Sequence, residues 1–314
     1  MGFDTLLGNE RLKENLISSL SRGRISHFYL ISGPEGAGKH TLAKLLAEAI
    51  LCEGKRQPCG SCAACRKMRS GNHPDFITVE DPEHKTTAVK IVRQMRDDMF
   101  IRPNEAEHKI YLFPQELGIE GQNALLKILE EPPSYGVFIL LTDNPEKLLP
   151  TVRSRCTELA LRALEPETLK GALQREFPDA SREDVAAAAL RSGGFLGQAR
   201  EMLENREEDP QTEGFVRGYG NRDALALAQV LVPMEKWKRD QLIPQLEKWL
   251  AMLENALASR AGLPAISAYE RELSAQRSSQ ELMAAVSSMK KALDYARGNV
   301  SPGAVCGWLR WELK

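Results

Sequence analysis

The spacing of apolar positions changes along the chain, and in the first half it predicts strands separated by helices. The predicted strands are short apolar runs, typical of buried strands, at residues 28–31, 76–79, 109–113 and 137–141. The predicted helices have apolar positions three or four apart and lie at residues 10–20, 89–99 and 121–131. Strands that alternate with helices indicate a parallel α/β sheet with helices on its faces.

The pattern changes after Leu161, where no further β-branched apolar run follows. Short helices are predicted within residues 166–206, and long ones at residues 222–232, 235–260, 278–297 and 302–313. Residues 208–212 contain a proline among polar residues and predict a loop, a plausible hinge. We therefore predict three domains: an α/β domain at residues 1–161, a small helical domain at 162–207 and an all-α domain at 208–314.

A glycine-rich stretch follows the first predicted strand and opens the next helix. Residues 33–41 read Gly-Pro-Glu-Gly-Ala-Gly-Lys-His-Thr, which matches the phosphate-binding loop G-x-x-x-x-G-K. Its glycines let backbone N–H groups converge on phosphate oxygens, while the helix N-terminus and the lysine supply positive charge. The predicted phosphate-binding residues are Gly33, Gly36, Gly38, Lys39, His40 and Thr41.

Two positions that hold Mg²⁺ in P-loop ATPases carry unsuitable residues. His40 replaces the Ser or Thr whose hydroxyl binds the ion, and imidazole is a poor ligand for a hard cation. The strand at residues 109–113 is followed by Pro114 and Gln115 instead of an acid, and Glu116 comes too late to replace it. The sequence therefore predicts a loop that can bind ATP or ADP without hydrolysing it.

Four cysteines lie in a short polar insert at about residues 52–65. Cys59, Cys62 and Cys65 have C-x2-C-x2-C spacing, and six residues separate Cys52 from Cys59. Four thiolates can close a tetrahedral structural zinc site. An iron–sulfur site and a set of unmetallated thiols are the alternatives; the usual C-x3-C-P ending of an iron–sulfur run is missing here.

Composition limits the class of protein. The 314 residues carry a net charge of −1, which argues against a basic arm that binds nucleic acid by itself. The chain contains no apolar run of about 20 residues and no signal-peptide pattern at its start, so we expect a soluble, cytoplasmic protein without a membrane partner. In that compartment the six cysteines are expected to be thiols or metal ligands.

Several motifs together resemble those of the bacterial clamp-loader family of AAA+ proteins. They are the P-loop, the cysteine cluster directly after its helix, His-Pro-Asp at residues 73–75, Asn-Ala-Leu-Leu-Lys-Ile-Leu-Glu-Glu-Pro-Pro at 123–133 and Ser-Arg-Cys at 154–156. The resemblance covers residues 1 to about 206, and the helical tail only in general character. It implies an AAA+ P-loop domain with a zinc-binding insert, a helical lid domain and a helical collar domain that forms oligomers.

The unsuitable Mg²⁺ positions resemble those of the family's non-hydrolysing subunits, and Gly197 stands where motor subunits carry a second sensor arginine. The resemblance implies a five-subunit ring with gamma/tau and delta subunits that loads a sliding clamp onto primed DNA. It also implies that Arg155 acts in trans, at the nucleotide held by the adjacent subunit. In the family that the chain resembles, eight residues separate the first two cysteines, two more than separate Cys52 from Cys59.

Three alternatives stay open at this stage. The chain could be a hydrolysing gamma/tau-like ATPase of the same family, or a stand-alone P-loop enzyme such as a nucleotide kinase. Arg155 could form a surface ion pair worth at most about 1 kcal/mol instead of acting on a nucleotide.

Overall fold

The computed structural model describes residues 2–54, 57–84, 86–204, 209–298 and 300–313, with every side chain in these ranges except that of Lys127. The chain forms two compact units. Unit 1 comprises Met1–Thr168 and Phe195–Gln198, and unit 2 comprises Leu169–Gly194 and Ala199–Lys314. The three-domain division, with its separate domain at residues 162–207, stays a prediction.

Unit 1 alternates helices and strands, as the apolar pattern predicts. Its helices are α1 (Glu10–Ser21), α2 (Lys39–Leu51), α3 (Ala63–Arg69), α4 (Val89–Asp98), α5 (Ile119–Glu130) and α6 (Pro150–Arg153), with 3-10 turns at Phe3–Thr5 and Pro145–Lys147. Its strands are β1 (Phe28–Ser32), β2 (Phe76–Thr78), β3 (Thr86–Thr87), β4 (Lys109–Phe113), β5 (Glu116–Leu117), β6 (Gly136–Thr142) and β7 (Thr157–Ala160). The predicted strands at residues 28–31, 76–79, 109–113 and 137–141 are confirmed to within one residue at each end.

Five of these strands form one parallel sheet, in the order β2-β4-β6-β1-β7 within the described residues. β1, β4 and β6 are buried along their whole length, because helices cover both faces of the sheet. Ile31 of β1 packs in a cluster with side chains of α1 and α2. Its neighbour Leu30 points the opposite way, into a cluster with side chains of α4 and α5.

The loop between α4 and β4 is held by the buried carboxylate of Asp75. This carboxylate accepts hydrogen bonds from the backbone N–H groups of Asn104 (2.6 Å), Glu105 (2.9 Å) and Ala106 (3.0 Å). His73 fixes the same turn, because its Nδ1 accepts the N–H of Asp75 at 3.2 Å. Burial alone would raise the pKa of Asp75, but these donors outweigh it and the pKa is lowered.

We expect Asp75→Asn to lower the free energy of unfolding by about 2 kcal/mol, because the new amide nitrogen would face N–H donors in a buried site. The native pKa lies below the unfolded value, so the stabilisation is present above about pH 4 and is lost as the pH falls through the lowered pKa. Urea unfolding at pH 7 and at decreasing pH measures both effects. Asp97→Asn, at an exposed carboxylate near the end of α4, is the matched control; an equal effect of both changes would contradict the expectation.

Unit 2 contributes helices only, within the part of it that is described. They are α7 (Pro166–Glu176), α8 (Arg182–Arg191), α9 (Leu196–Glu204), α10 (Pro210–Gly220), α11 (Ala224–Met234), α12 (Arg239–Arg260), α13 (Ala268–Gln276), α14 (Ser279–Arg297) and α15 (Pro302–Glu312), of which the first residues of α7 and α9 belong to unit 1. Trp249 is fully buried in the core of α10–α15, stacks on Phe215 with ring centroids 4.3 Å apart and donates its indole N–H to Thr212 at 3.1 Å.

One prediction about local structure was wrong, and one strand of the main sheet was not predicted. Residues 210–212 are not a loop: Asp209 caps α10 by accepting the N–H of Thr212, and Pro210 occupies the first helical position, where its missing N–H costs nothing. Residue 208 of the same predicted loop lies outside the described residues. Strand β7 was missed, because Leu159 is its one buried side chain.

No described helix combines the length with the apolar content that a membrane span needs.

Candidate functional site

The predicted phosphate-binding loop joins β1 to α2, and its backbone explains its glycines. Gly36 and Gly38 adopt positive φ angles of 75° and 94°, a region that L side chains rarely occupy. Gly38 directly precedes α2, whose first residue is Lys39. The loop thus ends on a helix N-terminus, as a phosphate site requires. His40 and Thr41 follow in the first turn and are exposed.

Lys39 is bound by groups of its own chain. Its Nζ donates hydrogen bonds to the carbonyl oxygens of Gly33 (2.7 Å) and Pro34 (2.9 Å), and it forms an ion pair with the carboxylate of Asp143. The lysine side chain is 11% exposed, so little of its surface contacts solvent. A phosphate group that binds here must compete with Asp143 for this ammonium group.

Asp143 was missed at the sequence level. It follows β6 directly, and β6 lies beside β1 with Ser32 opposite Thr142. This register brings Asp143 next to Gly33, at the start of the P-loop. The signal was an acidic residue after a buried strand, but the order of strands in the sheet was needed to see which loop it faces.

His40 lies in a positive environment. Although the residue is exposed, neighbouring groups partly desolvate its ring and, with the charges of Lys44 and Lys39, lower the pKa of the imidazole, so the ring is neutral near pH 7. A neutral imidazole offers nitrogen rather than oxygen to a cation, and Mg²⁺ prefers oxygen. The position therefore carries no hydroxyl ligand of the kind that P-loop ATPases use.

The residues after β4 are engaged in structural contacts. Gln115 Oε1 accepts the N–H of Asp81 at 2.8 Å and the hydroxyl of Thr87 at 3.3 Å, and its Nε2 donates to the carbonyl oxygens of Asp81 (2.8 Å) and His84 (2.9 Å). Glu116 pairs with Lys147 at 2.7 Å. The side chain that replaces the expected acid thus holds a neighbouring loop.

Residues 195–198 pack directly on the tip of the P-loop. The N–H of Gly197 donates to the carbonyl oxygen of Gly36 at 2.9 Å, and Gln198 Nε2 donates to that of Glu35 at 3.0 Å. A Cβ atom at Gly197 would lie 2.5 Å from the Cα of Gly36. An arginine therefore does not fit at this position without a shift of the backbone.

The four cysteines of the insert form one cluster. The Sγ atoms of Cys52, Cys59, Cys62 and Cys65 all lie within 4.8 Å of one another. Two of the separations are 3.9 Å (Cys59–Cys65) and 4.0 Å (Cys52–Cys62). Tetrahedral Zn–S bonds of about 2.3 Å require sulfur atoms about 3.8 Å apart. The cluster is placed to hold a metal such as zinc, and Cys52 belongs to it despite its shorter spacing.

Backbone N–H groups favour the thiolate of Cys59, whereas burial raises the pKa of Cys52 and of Cys65. Backbone N–H groups point at sulfur: that of Cys62 at Cys59 (3.4 Å) and that of Cys65 at Cys62 (3.4 Å). The N–H groups of Ser61 and Cys62 lower the pKa of Cys59 to about 6. Gly54 is required by close contact, because a Cβ atom there would lie 2.9 Å from the sulfur of Cys59.

Arg155 lies on an exposed turn between α6 and β7. Its guanidinium donates to the carbonyl oxygen of Thr151 at 2.9 Å and lies 3.4 Å from a carboxylate oxygen of Glu130 at the end of α5. The side chain is 39% exposed, so this ion pair is weak and can be exchanged for another anion. Buried Gln122 fixes the start of α6, the helix before this turn, by accepting the N–H of Leu149 at 2.7 Å.

Arg155 and the P-loop lie at opposite ends of neighbouring parallel strands. Tyr29 of β1 pairs with Thr157 of β7, so Arg155 lies near the start of β1, whereas the P-loop follows its end. At about 3.3 Å per residue, the two sites are roughly 15 Å or more apart along the strands. Arg155 is therefore too far away to act on a phosphate held by this chain's own P-loop.

The family of this chain follows from a match to a family model described as "DNA polymerase III, delta subunit", which covers residues 8–165. The chain belongs to this family. The match spans the P-loop, the cysteine cluster and Arg155, and so includes all the predicted site residues. The clamp-loader resemblance inferred from the motifs is confirmed.

Two relatives with different names are about equally similar to this chain. It is 34% identical over 166 residues to the DNA polymerase III subunit delta' of Bacillus subtilis, covering 52% of this chain and 50% of that protein. It is 33% identical over 198 residues to subunit tau of the same organism, covering 60% of this chain and 35% of that protein. The chain thus spans half or less of the length of these two relatives.

A solved structure supports the fold. A gamma subunit-related protein of DNA polymerase III from Thermotoga maritima matches with a TM-score of 0.51 at 18% identity, over 95% of this chain and 100% of that chain. The predicted fold class, a parallel sheet with flanking helices followed by an all-α region, is confirmed.

Proposed function

We propose that this chain is a delta-prime-type subunit of the DNA polymerase III clamp loader. In this role it does not hydrolyse ATP, acts as a stator in the loading of the sliding clamp onto primed DNA, and lends Arg155 to the ATP site of an adjacent gamma/tau subunit. Family membership and the similarity to a delta' subunit support the proposal. The same role makes a delta subunit a further partner, residues 162–207 a lid and residues 208–314 a collar that contacts other subunits.

The observation that carries the proposal is that Lys39 of the P-loop and Gln115 after β4 are both bound by other groups of this chain. Lys39 is paired with Asp143, and Gln115 uses both ends of its amide to hold the loop that contains Asp81 and His84. Hydrolysis needs the lysine on phosphate and an acid that holds Mg²⁺. ATP or ADP can still bind by displacing Asp143, without being cleaved.

The chemistry of Arg155 supports a role in trans. A guanidinium is always charged and planar, and it can neutralise the charge that develops on a transferred phosphoryl group. Arg155 is exposed, lightly paired and far from the P-loop of its own chain. If Arg155 acts on a nucleotide, that nucleotide is therefore held by another chain. The four cysteines would hold one structural zinc ion, with no open position for catalysis.

A second candidate is a hydrolysing gamma/tau-like ATPase, which the similarity to tau subunits favours: the chain is 38% identical over 176 residues to that of Escherichia coli. ATP turnover by the purified chain with Mg²⁺ separates the two. We expect no turnover above background, whereas sustained phosphate release that disappears in Lys39→Ala would establish the ATPase.

We expect Asp143→Asn to raise the affinity for ATP about tenfold, because it frees Lys39 and removes a negative charge beside the phosphates. Turnover should stay absent, since His40 and Gln115 are unchanged. Titration with a fluorescent ATP analogue, with and without Mg²⁺, measures the affinity. Asp179→Asn, at an exposed carboxylate in unit 2, is the control; equal affinities of the two variants would show that Asp143 does not restrain the loop.

A further inference from the structure

Two arginines of α3 hold the turn between two of the predicted metal ligands. This turn, residues 59–62, reads Cys-Gly-Ser-Cys, and we name it the cysteine turn. The carbonyl oxygen of Ser61 accepts a hydrogen bond from Arg66 at 2.8 Å. The carbonyl oxygen of Gly60 accepts one from Arg69 at 3.1 Å. The guanidinium groups therefore fix the backbone that carries two thiols, and they bring positive charge to a site where four thiolates would outweigh the charge of a zinc ion.

Arg69 also contacts a buried carboxylate on the helix that begins at the P-loop. Its Nη2 lies 3.3 Å from Oε1 of Glu48, which is in the last turn of α2. Glu48 is 6% exposed, and within the described residues its Oε1 accepts no hydrogen bond. A buried carboxylate is costly without a cation beside it. The ion pair with Arg69 therefore stabilises the charge of Glu48.

One guanidinium group thus joins α2 to the cysteine turn. Nη1 of Arg69 donates to the turn while Nη2 faces Glu48, and the planar fork of a guanidinium allows both contacts at once. The helix between the P-loop and the cluster is α2 itself, because it begins at Lys39 and Cys52 follows its last residue directly. Arg69 is therefore a second connection between the cysteines and this helix, beside the chain itself.

A third cation of α3 has a different partner. Lys67 forms an ion pair with Glu105 in the loop between α4 and β4. In the described part of the chain its ammonium group makes no hydrogen bond or ion pair with the cysteine turn or with Glu48. Lys67 and Arg69 thus carry the same charge on the same helix, but of these two only Arg69 contacts both the turn and α2.

We propose that Arg69 is a positioning residue of the metal site and couples metal binding to the stability of the P-loop helix α2. This inference rests on the zinc site proposed above. A metal bound by the thiols would hold the cysteine turn, the turn would hold Arg69, and Arg69 would stay beside Glu48. Without metal the turn would fix Arg69 less firmly, so the buried carboxylate would lose part of its pairing. The last turn of α2 would then open more often.

The first test is the zinc affinity of the full chain, measured by competition with a chromophoric chelator. Arg69→Met removes the guanidinium group, and we expect zinc to bind about tenfold more weakly or worse. The absorption of the Co²⁺-loaded variant should keep its thiolate bands, because all four ligands are unchanged. Lys67→Met, the matched control, should change the affinity at most about threefold. Equal affinities of the two variants would refute the positioning role, whereas a wild-type chain that binds no zinc would refute the site itself.

Hydrogen exchange of the α2 amide groups tests the coupling. Removal of zinc by a chelator should speed exchange at residues 46–51 about fivefold or more in the wild-type chain and in Lys67→Met. The double variant Arg69→Met/Glu48→Gln leaves no buried charge unpaired, so it should fold even if Arg69→Met does not. In it, zinc removal should have less than about half the wild-type effect, the rest passing through Cys52. An equal response of the double variant, or no response of the wild-type chain, would overturn the coupling.

Discussion

Arg155→Ala is expected to lower ATP turnover at the adjacent site of a reconstituted clamp loader by about 10³-fold or more, the range found for arginines supplied in trans. ATP turnover by the whole complex would fall by the contribution of this one site, and clamp loading would fall as well. The physical reason is the loss of a fixed positive charge where the phosphoryl group gains negative charge. Steady-state phosphate release and loading of a labelled clamp onto primed DNA measure the two effects.

Arg153→Ala is the matched control for this change. Arg153 ends α6 two residues earlier and forms a 2.5 Å ion pair with exposed Glu146, so its loss removes a surface charge of the same sign. Both variants should keep their thermal stability, since exposed ion pairs contribute about 1 kcal/mol or less. Unchanged turnover in the Arg155→Ala complex, or an equal fall in both complexes, would rule out a specific role in trans.

Cys65→Ser is expected to remove zinc from the chain, from about one ion to almost none. Cys65 is fully buried, and its sulfur lies 3.9 Å from that of Cys59, so a serine oxygen at this position breaks a four-thiolate site. We expect the affinity for zinc to fall by at least about 10²-fold and the insert to lose protection from proteolysis. Elemental analysis, competition with a chromophoric chelator and limited proteolysis measure these effects.

Cys306→Ala provides the control for the metal measurement. Cys306 is a buried thiol in the core of unit 2, far along the chain from the cluster, and its loss should leave the zinc content unchanged. Iron and inorganic sulfide in the purified chain would instead support the iron–sulfur alternative. Protein purified without chelators that contains neither metal would support unmetallated thiols.

The fold could be predicted where a pattern is long and strong. The apolar runs within β1, β4 and β6 predicted buried strands, because strands covered on both faces have apolar residues at successive positions. Strand β7 lacks that signal, since it lies at the edge with one buried side chain. The helix α10 was missed because Pro210 suggests a loop until Asp209 is recognised as its N-cap.

The sequence predicted the groups of the candidate site but not the residues that contact them. Local motifs identified the P-loop, the cysteines and Arg155, since each is a short pattern with a known chemical use. The partners of these groups are distant in sequence: Asp143 reaches Lys39 across the β1–β6 pair, and Glu130 meets Arg155. Such contacts depend on strand order and helix placement, which periodicity does not specify.

Because the P-loop and Arg155 lie at opposite ends of neighbouring strands, the two ends of unit 1 present different groups. If the arginine serves a neighbour, the edge that donates it differs from the edge that holds nucleotide, so contacts between such domains are heterologous and join head to tail. A subunit that donates an arginine but cannot cleave ATP fits one position of such a series. There it completes the ATP site of the next subunit, while its own site stays inactive. The order of subunits around an assembly would then depend on which members can donate an arginine at one edge and which can cleave ATP at the other.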